Sequence, residues 1–255
     1  ISLDEAGIVV EELKKYNVNI AYVTPSHQFP TGTIMSISRR TELLNWANEN
    51  PDRYIVEDDY DSEFKYTGRP IPALKANDIN DKVIYLGSFS KSISPAIRVS
   101  YLVLPKALLN IYQRELPYFI CPVPTLNQKI LYRFIKDGYF VKHINKMRTL
   151  YKKKREFLVN TIKAYSSKIL NKEIQIQGAD AGLHMVIKLN QKINEKLFLD
   201  ECLENSLKLY SLEEYNIEEI HRENSYFLLG YANLTNKEIE EGISLLLKIL
   251  KKYYV

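Results

Sequence analysis

The amino-acid sequence predicts an α/β fold: a mostly parallel sheet covered on both faces, followed by a smaller α+β unit. Three observations predict it. Helical and strand patterns alternate from Gly7 to Pro105, the order expected of a parallel sheet with helical crossovers. The strands there read as near-continuous apolar, β-branched runs, the pattern of strands buried on both faces. After Pro105 the order changes to long helical sequence and then to strands mixed with helices.

The elements follow in turn. GIVVEELKKYN reads as a short amphipathic helix and NIAYVTP as a strand ending at a Pro turn. SISRRTELLNWANEN is a helix opened by Ser36 or Ser38, with Leu43, Leu44 and Ala47 on one face, and RYIVEDD is the next buried strand. KVIYLGSFS and RVSYLVLP are two further apolar runs, close enough in sequence for the last to be an antiparallel member. A helix near Ala107 to Arg114 and the linker PYFICPVPT lead to helical sequence from Leu126 to about Tyr165, with a break expected at Gly138. IQIQ and GLHMVIKL return to strands, followed by a helix around Glu195 to Ser206, the strand YFLLGYA, and a last helix that Thr235 and Glu238 open as a capping box. The organisation expected is a large-domain part over residues 1–125, connecting helices over 126–165 and a small α+β domain over 166–255.

Composition narrows the class. With 255 residues, 45% apolar and 26% charged, the chain can bury a substantial core. Its apolar runs are too short to span a bilayer. A net charge of +4 and a pI near 8.7 are only mildly basic, below what a dedicated nucleic-acid-binding domain carries. Cys121 and Cys202 lie far apart without metal or redox spacing, which suits a reducing cytoplasm. The opening ISLDEAGIVV has no initiator Met and no signal-peptide pattern, and reads as lying inside a larger fold.

Chemistry concentrates at two strand ends. EDDYDSEF places acids and a tyrosine just past the carboxyl end of one strand, and Lys91 stands at the corresponding end of a later one. Open α/β sheets bind ligands at that edge, so Asp58, Tyr60 and Lys91 are expected to converge there. A lysine in such a place serves as an amine nucleophile toward an aldehyde cofactor.

TPSHQFPTG, EDDYDSEF and SFSKSISPAIR, in that order, resemble the aminotransferase-like domain of MocR/GabR-type members of the GntR regulators. These form a branch of the fold-type I proteins that depend on pyridoxal 5'-phosphate (PLP). The resemblance covers essentially the whole chain. It implies that Lys91 forms a Schiff base with PLP, that Asp58 pairs with the pyridine nitrogen and that Tyr60 donates to the phenolic oxygen. It further implies phosphate contacts from Ser88, Ser90 and Arg98, with His27 and Gln28 on the cofactor or substrate side. The function implied is that of an effector-sensing domain responding to a small amino compound; an active class I/II aminotransferase is the alternative. A homodimer is implied, and DNA contact only through a winged-helix domain upstream of this chain.

Departures from that family pattern matter. Phe29 stands before Pro30 where ordinary aminotransferases carry an asparagine, which shifts work to Tyr60 or Gln28. YFLLGYANL lacks the arginine that takes the substrate carboxylate, leaving Lys208 and Arg222 as the nearest basic candidates. The phosphate loop and the ring that stacks on the cofactor lie upstream of Ile1 in the family, so weak PLP binding or none is expected of this chain alone. Asp59, Asp61 and Glu63 read as turn and surface acids, His143 as a surface residue and His184 as a packed core residue; no metal site is expected. The basic run from Lys146 to Arg155 reads as a solvated helix face, because Ile144, Met147, Tyr151, Arg155 and Leu158 trace an amphipathic face with the cations mostly opposite.

Overall fold

Alternating burial along the strands decides which side chains reach the core and which stay available at the sheet surface. The structure is a computed structural model and describes residues 1–217 and 222–254. The chain divides into two compact units, Ile1–Gln28 with Thr33–Arg148, and Phe29–Gly32 with Thr149–Val255.

The first unit opens with a hairpin of β1 (Leu3–Asp4) and β2 (Gly7–Ile8), then α1 (Val10–Lys15). The helix is shorter than its amphipathic pattern predicts. Gly7 sits at φ 118° in the hairpin, a conformation that favours glycine, and a Cβ there would lie tightly against Met35 Cγ at 3.1 Å. Next come β3 (Ile20–Val23), α2 (Ile37–Asn48), β4 (Tyr54–Asp59), α3 (Leu74–Asn77), β5 (Val83–Ser88), α4 (Phe89–Ser92), a 3-10 turn (Pro95–Ile97) and β6 (Ser100–Val103). Ser36 is the cap of α2, its side chain accepting from Arg39 N at 3.2 Å. The strands form one sheet in the order β3-β4-β5-β6, parallel except for antiparallel β6.

One face of that sheet is closed. Ala21, Val23, Ile55 and Val83 pack with Met35, Leu43, Trp46, Ala47 and Leu74. The other face is open at β3, where Ile20 and Tyr22 are 61% and 60% exposed. The α5 helix (Lys106–Glu115), α6 (Thr125–Lys136) and α7 (Tyr139–Leu170) follow, with Gly138 at φ 77° breaking α6 from α7. No residue of α5 is buried.

The second unit holds β7 (Gln175–Gln177), β8 (His184–Lys188), α8 (Glu195–Glu204), β9 (Tyr210–Ser211), β10 (Tyr226–Gly230) and α9 (Asn236–Leu250). Its sheet is antiparallel in the order β7-β8-β10-β9. Met185, Ile187, Phe227 and Leu229 pack against Phe198 of α8, Ile239, Ile243 and Leu247 of α9, and Leu158 and Ile162 of α7. Thr235 and Glu238 form the expected capping box. A second box, Ser211 with Glu214, starts a 3-10 turn (Leu212–Tyr215) beside β9 that sequence periodicity does not reveal, since two-residue strands carry no period.

Three cations of α7 donate to the protein's own carbonyls. Arg148 Nε donates to Glu63 O at 2.8 Å in the first unit; Lys154 Nζ donates to Ala232 O at 2.7 Å and Arg155 Nε to Ala179 O at 2.8 Å in the second. Lys146, Lys152 and Lys153 stay exposed. Among the described residues no helix is long and apolar enough to cross a membrane.

Candidate functional site

The stretch Glu57 to Asp61 alternates in burial, with Glu57, Asp59 and Asp61 inside and Asp58 and Tyr60 half-buried. Asp59 and Asp61 are therefore not surface acids as their type suggests. Strand alternation puts Glu57 and Asp59 on the face of Ile55, toward the core. Buried carboxylates need partners, and each has them. Glu57 accepts from Leu74 N at 2.7 Å and Lys75 N at 2.9 Å. Asp59 Oδ2 accepts from Tyr85 Oη at 2.6 Å and Ser62 Oγ at 2.8 Å. Asp61 pairs with His27 Nδ1 at 2.9 Å. Burial pushes the Asp61 carboxyl up, while His27 and, at longer range, the Lys91 charge hold it down.

Asp58 points the other way. The register aligns Asp58 with Leu86 and Leu86 with Leu102, and Ser88 with Ser100. These residues share the half-open face, and with Tyr101 they line a cavity of about 420 Å³. The Tyr22 hydroxyl, from β3, donates to Asp58 Oδ2. Gly87 lies under the Tyr101 ring, so close that a Cβ would stand 2.2 Å from Cζ. Ser88 ends β5 and its side chain accepts from Ser90 N at 3.2 Å, which opens α4. Lys91 is the third residue of α4 and is exposed, and Arg98, also exposed, follows the 3-10 turn in the left-handed conformation at φ 51°. Asp58 and Ser88 thus share the cavity wall. Ser90, Lys91 and Arg98 follow on the segment that leaves it.

Tyr60, His27 and Gln28 gather elsewhere in the first unit. The Tyr60 hydroxyl donates to the His27 carbonyl at 2.6 Å, and burial raises its pKa. His27 is buried against Asp61, and Gln28 is buried with its backbone N–H donating to Thr33 O at 2.7 Å.

Several other expectations meet the geometry here. His143 is half-buried rather than at the surface, its Nε2 lying 3.0 Å from the carbonyl of Ser92, the residue after Lys91. Helical spacing alone could not reveal that, because the partner lies 51 residues away. His184 is buried, with the Phe29 ring edge-on at 5.8 Å. In the second unit Lys208 lies 5.2 Å from the Tyr210 ring centroid and Arg222 lies 5.4 Å from that of Tyr226. Tyr22, which the motif reading passed over, carried only the signal of being a polar-tipped aromatic in an apolar strand.

Residues 9–246 match the family described as aminotransferase class I and II. The chain is 38% identical over 244 residues to YdeL of Bacillus subtilis, named an uncharacterized HTH-type transcriptional regulator; the match takes in 95% of this chain and 51% of YdeL. It is 30% identical to MocR of Rhizobium meliloti, named a probable rhizopine catabolism regulatory protein, over 96% of this chain and 48% of MocR. The chain thus spans about half the length of the curated relatives it matches. Among solved structures, kynurenine aminotransferase of Pyrococcus horikoshii, solved in complex with PMP, superposes with a TM-score of 0.85 at 26% identity, over 98% of this chain and 62% of that one. LysN of Thermus thermophilus, an α-aminoadipate aminotransferase complexed with N-(5'-phosphopyridoxyl)-L-leucine, gives 0.83 at 26% identity, over 99% and 64%. With this fold, and with the family match running through both units, the chain belongs to the aminotransferase class I and II family.

Proposed function

We propose that this chain is the PLP-binding, effector-sensing domain of a transcriptional regulator, holding the cofactor through Lys91 and answering to a small amino compound. One observation carries the reading: Asp58 stands on the open sheet face in a cavity it shares with Ser88, three residues before Lys91. Asp58 and Ser88 in the cavity, with Ser90, Lys91 and Arg98 on the segment that leaves it, make a donor set that suits PLP. A carboxylate suits a protonated ring nitrogen, a primary amine suits an aldehyde, and hydroxyls with a guanidinium suit a phosphate.

When bound, PLP supplies a cationic ring that withdraws electrons from an attached amine carbon. The chain's own groups do the rest. Asp58 would accept from the ring N–H and keep the ring charged, and Lys91 would hold the cofactor covalently. Ser88 still has its O–H to donate, because only its oxygen is engaged by Ser90 N. Arg98 would give a charge-assisted contact, and its left-handed backbone, uncommon outside glycine, costs about 1–3 kcal/mol. Strain of that kind clusters at binding sites. Tyr60 would have to leave the His27 carbonyl to reach a phenolic oxygen, so Asp58 is the stronger determinant. His27 and Gln28 would border the site, the former braced by Asp61.

The relatives named as regulators support sensing over turnover. DNA contact would come from a domain outside this chain, and pairing of two copies is part of the same proposal. The second reading, an active aminotransferase, is favoured by the solved relatives, which are themselves aminotransferases by name.

The test is direct. PLP is titrated against the chain by visible absorption and equilibrium dialysis, and adducts are reduced and weighed by mass spectrometry. Lys91→Ala should abolish the adduct without changing the circular dichroism, and Asp58→Asn should lower retention. An adduct that survives Lys91→Ala would refute the assignment. Sustained conversion of an amino donor to its keto product would favour the enzyme reading over the sensor.

A further inference from the structure

A carboxylate on an open sheet face rotates unless something holds it, and a loosely held group is a poor partner for a ring atom in a fixed place. Asp58 is held by one hydrogen bond. Tyr22 on β3 stands opposite Val56 on β4, so both lie on the face that carries Asp58 two residues further along. From there the Tyr22 hydroxyl donates to Asp58 Oδ2. Among the described residues no other group donates to Asp58.

The tyrosine is not held there by the core. Tyr22 is 60% exposed, and its neighbour on the same face, Ile20, is exposed as well. A side chain that packs so little yet directs its hydroxyl to one oxygen of the cavity carboxylate is placed by that contact. Burial of the hydroxyl and the adjacent Asp58 carboxylate push its pKa up to about 12, so it remains a donor through the neutral range.

Resting on the PLP reading above, we infer that Tyr22 is the positioning residue for Asp58: it anchors Oδ2 and leaves Oδ1 as the oxygen presented to a protonated ring nitrogen. The contact spans β3 and β4, so the strand before the HQFPTG turn takes part in cofactor recognition through a residue outside every motif quoted for the family.

Tyr22→Phe removes the hydroxyl and keeps the ring. The chain and this variant are titrated with PLP and with an analogue that carries a ring carbon in place of the pyridine nitrogen. The expected result is that Tyr22→Phe weakens PLP about tenfold, equal to roughly 1.4 kcal/mol and the size of a charge-assisted hydrogen bond, and leaves the analogue unchanged. In an Asp58→Asn background the same substitution should change PLP affinity less than about twofold, since the two residues act as one unit. Equal losses for PLP and the analogue would show a merely structural role and overturn the inference. A Tyr22→Phe variant that binds PLP as the parent does, while Asp58→Asn weakens it, would overturn the role of Tyr22 and leave the PLP reading standing. PLP binding indifferent to Asp58→Asn, or no adduct trapped by reduction even at saturating PLP, would overturn both.

Discussion

Arg40 and Glu57 form a buried hub behind the site, and breaking it should cost more than any change at the surface. Arg40 is 2% exposed and Glu57 is 0%. The guanidinium donates to Met35 O at 3.1 Å, Pro72 O at 3.0 Å and Pro25 O at 2.8 Å, and Nη1 stands 3.8 Å from Glu57 Oε1. The carboxylate in turn accepts the backbone N–H groups that open α3, at 2.7 and 2.9 Å. Burial raises the Glu57 carboxyl and lowers the Arg40 guanidinium, while the pair itself pulls each back. Desolvation therefore offsets much of the attraction, yet removing one partner strands a buried charge, at a cost of about 3–5 kcal/mol. Arg40→Met also removes the hydrogen bonds to the carbonyls of Met35, Pro72 and Pro25 and should fall at the top of that range. Glu57→Gln keeps an amide oxygen for one N–H and should cost about 2–3 kcal/mol, the penalty of one buried unsatisfied group plus the lost counter-charge. The double variant should lose less than the sum by at least about 1 kcal/mol. Urea denaturation followed by circular dichroism reads all three. Additivity within about 0.5 kcal/mol, or single costs under about 1 kcal/mol, would refute the hub.

Two further expectations test the same unit. Gly87→Ala forces a Cβ to within 2.2 Å of Tyr101 Cζ, so the ring must swing off the strand; a loss of about 1–3 kcal/mol in thermal unfolding is expected, with Gly87→Ala/Tyr101→Ala recovering part of it. Burial raises Glu63 from its ordinary 4.5 to about 6. The unfolded chain then gives up this proton first as pH rises, so stability falls between about pH 4.5 and 6, by at most about 2 kcal/mol for the 1.5-unit difference. Glu63→Gln should flatten that segment of the pH profile, and an unchanged slope would contradict the burial.

What the sequence made legible was set by period and by punctuation. Ser36, Gly138 and the Thr235–Glu238 box mark helix ends with local chemistry, and each lies where the structure ends or starts a helix. The apolar runs of β3, β4, β5 and β6 needed no tertiary information beyond the order of elements. The first helix failed at its start because Gly7 serves the β1–β2 hairpin, a contact with Leu3–Asp4 that helical periodicity cannot see. His143 failed for the same reason, its partner Ser92 lying on another element. Asp58 and Ser88 were found from motif and strand end together, and the structure sets them on one cavity. Tyr22 escaped because a tyrosine in a strand is ordinary; only the register across β3 and β4 gives it an acceptor.

Glu57 to Asp61 shows why the acids were harder to read than the lysine. Charged residues default to solvent, and by type alone all four acids of the stretch look alike. The strand period separates them. Glu57 and Asp59 share the inward face of Ile55, and Asp61 continues the alternation into the turn, where His27 receives it. Asp58 and Tyr60 are left on the other side. The inward acids hold α3, Tyr85 and His27 in place through buried hydrogen bonds, and none of them lines the cavity where Asp58 stands. One short run thus serves two purposes by alternate residues, bracing the carboxyl edge from beneath and presenting a single carboxylate above it. A cluster of negative charge that would repel itself on one face becomes stable when split across two. The carboxylate left facing the cavity is the one that Tyr22 reaches.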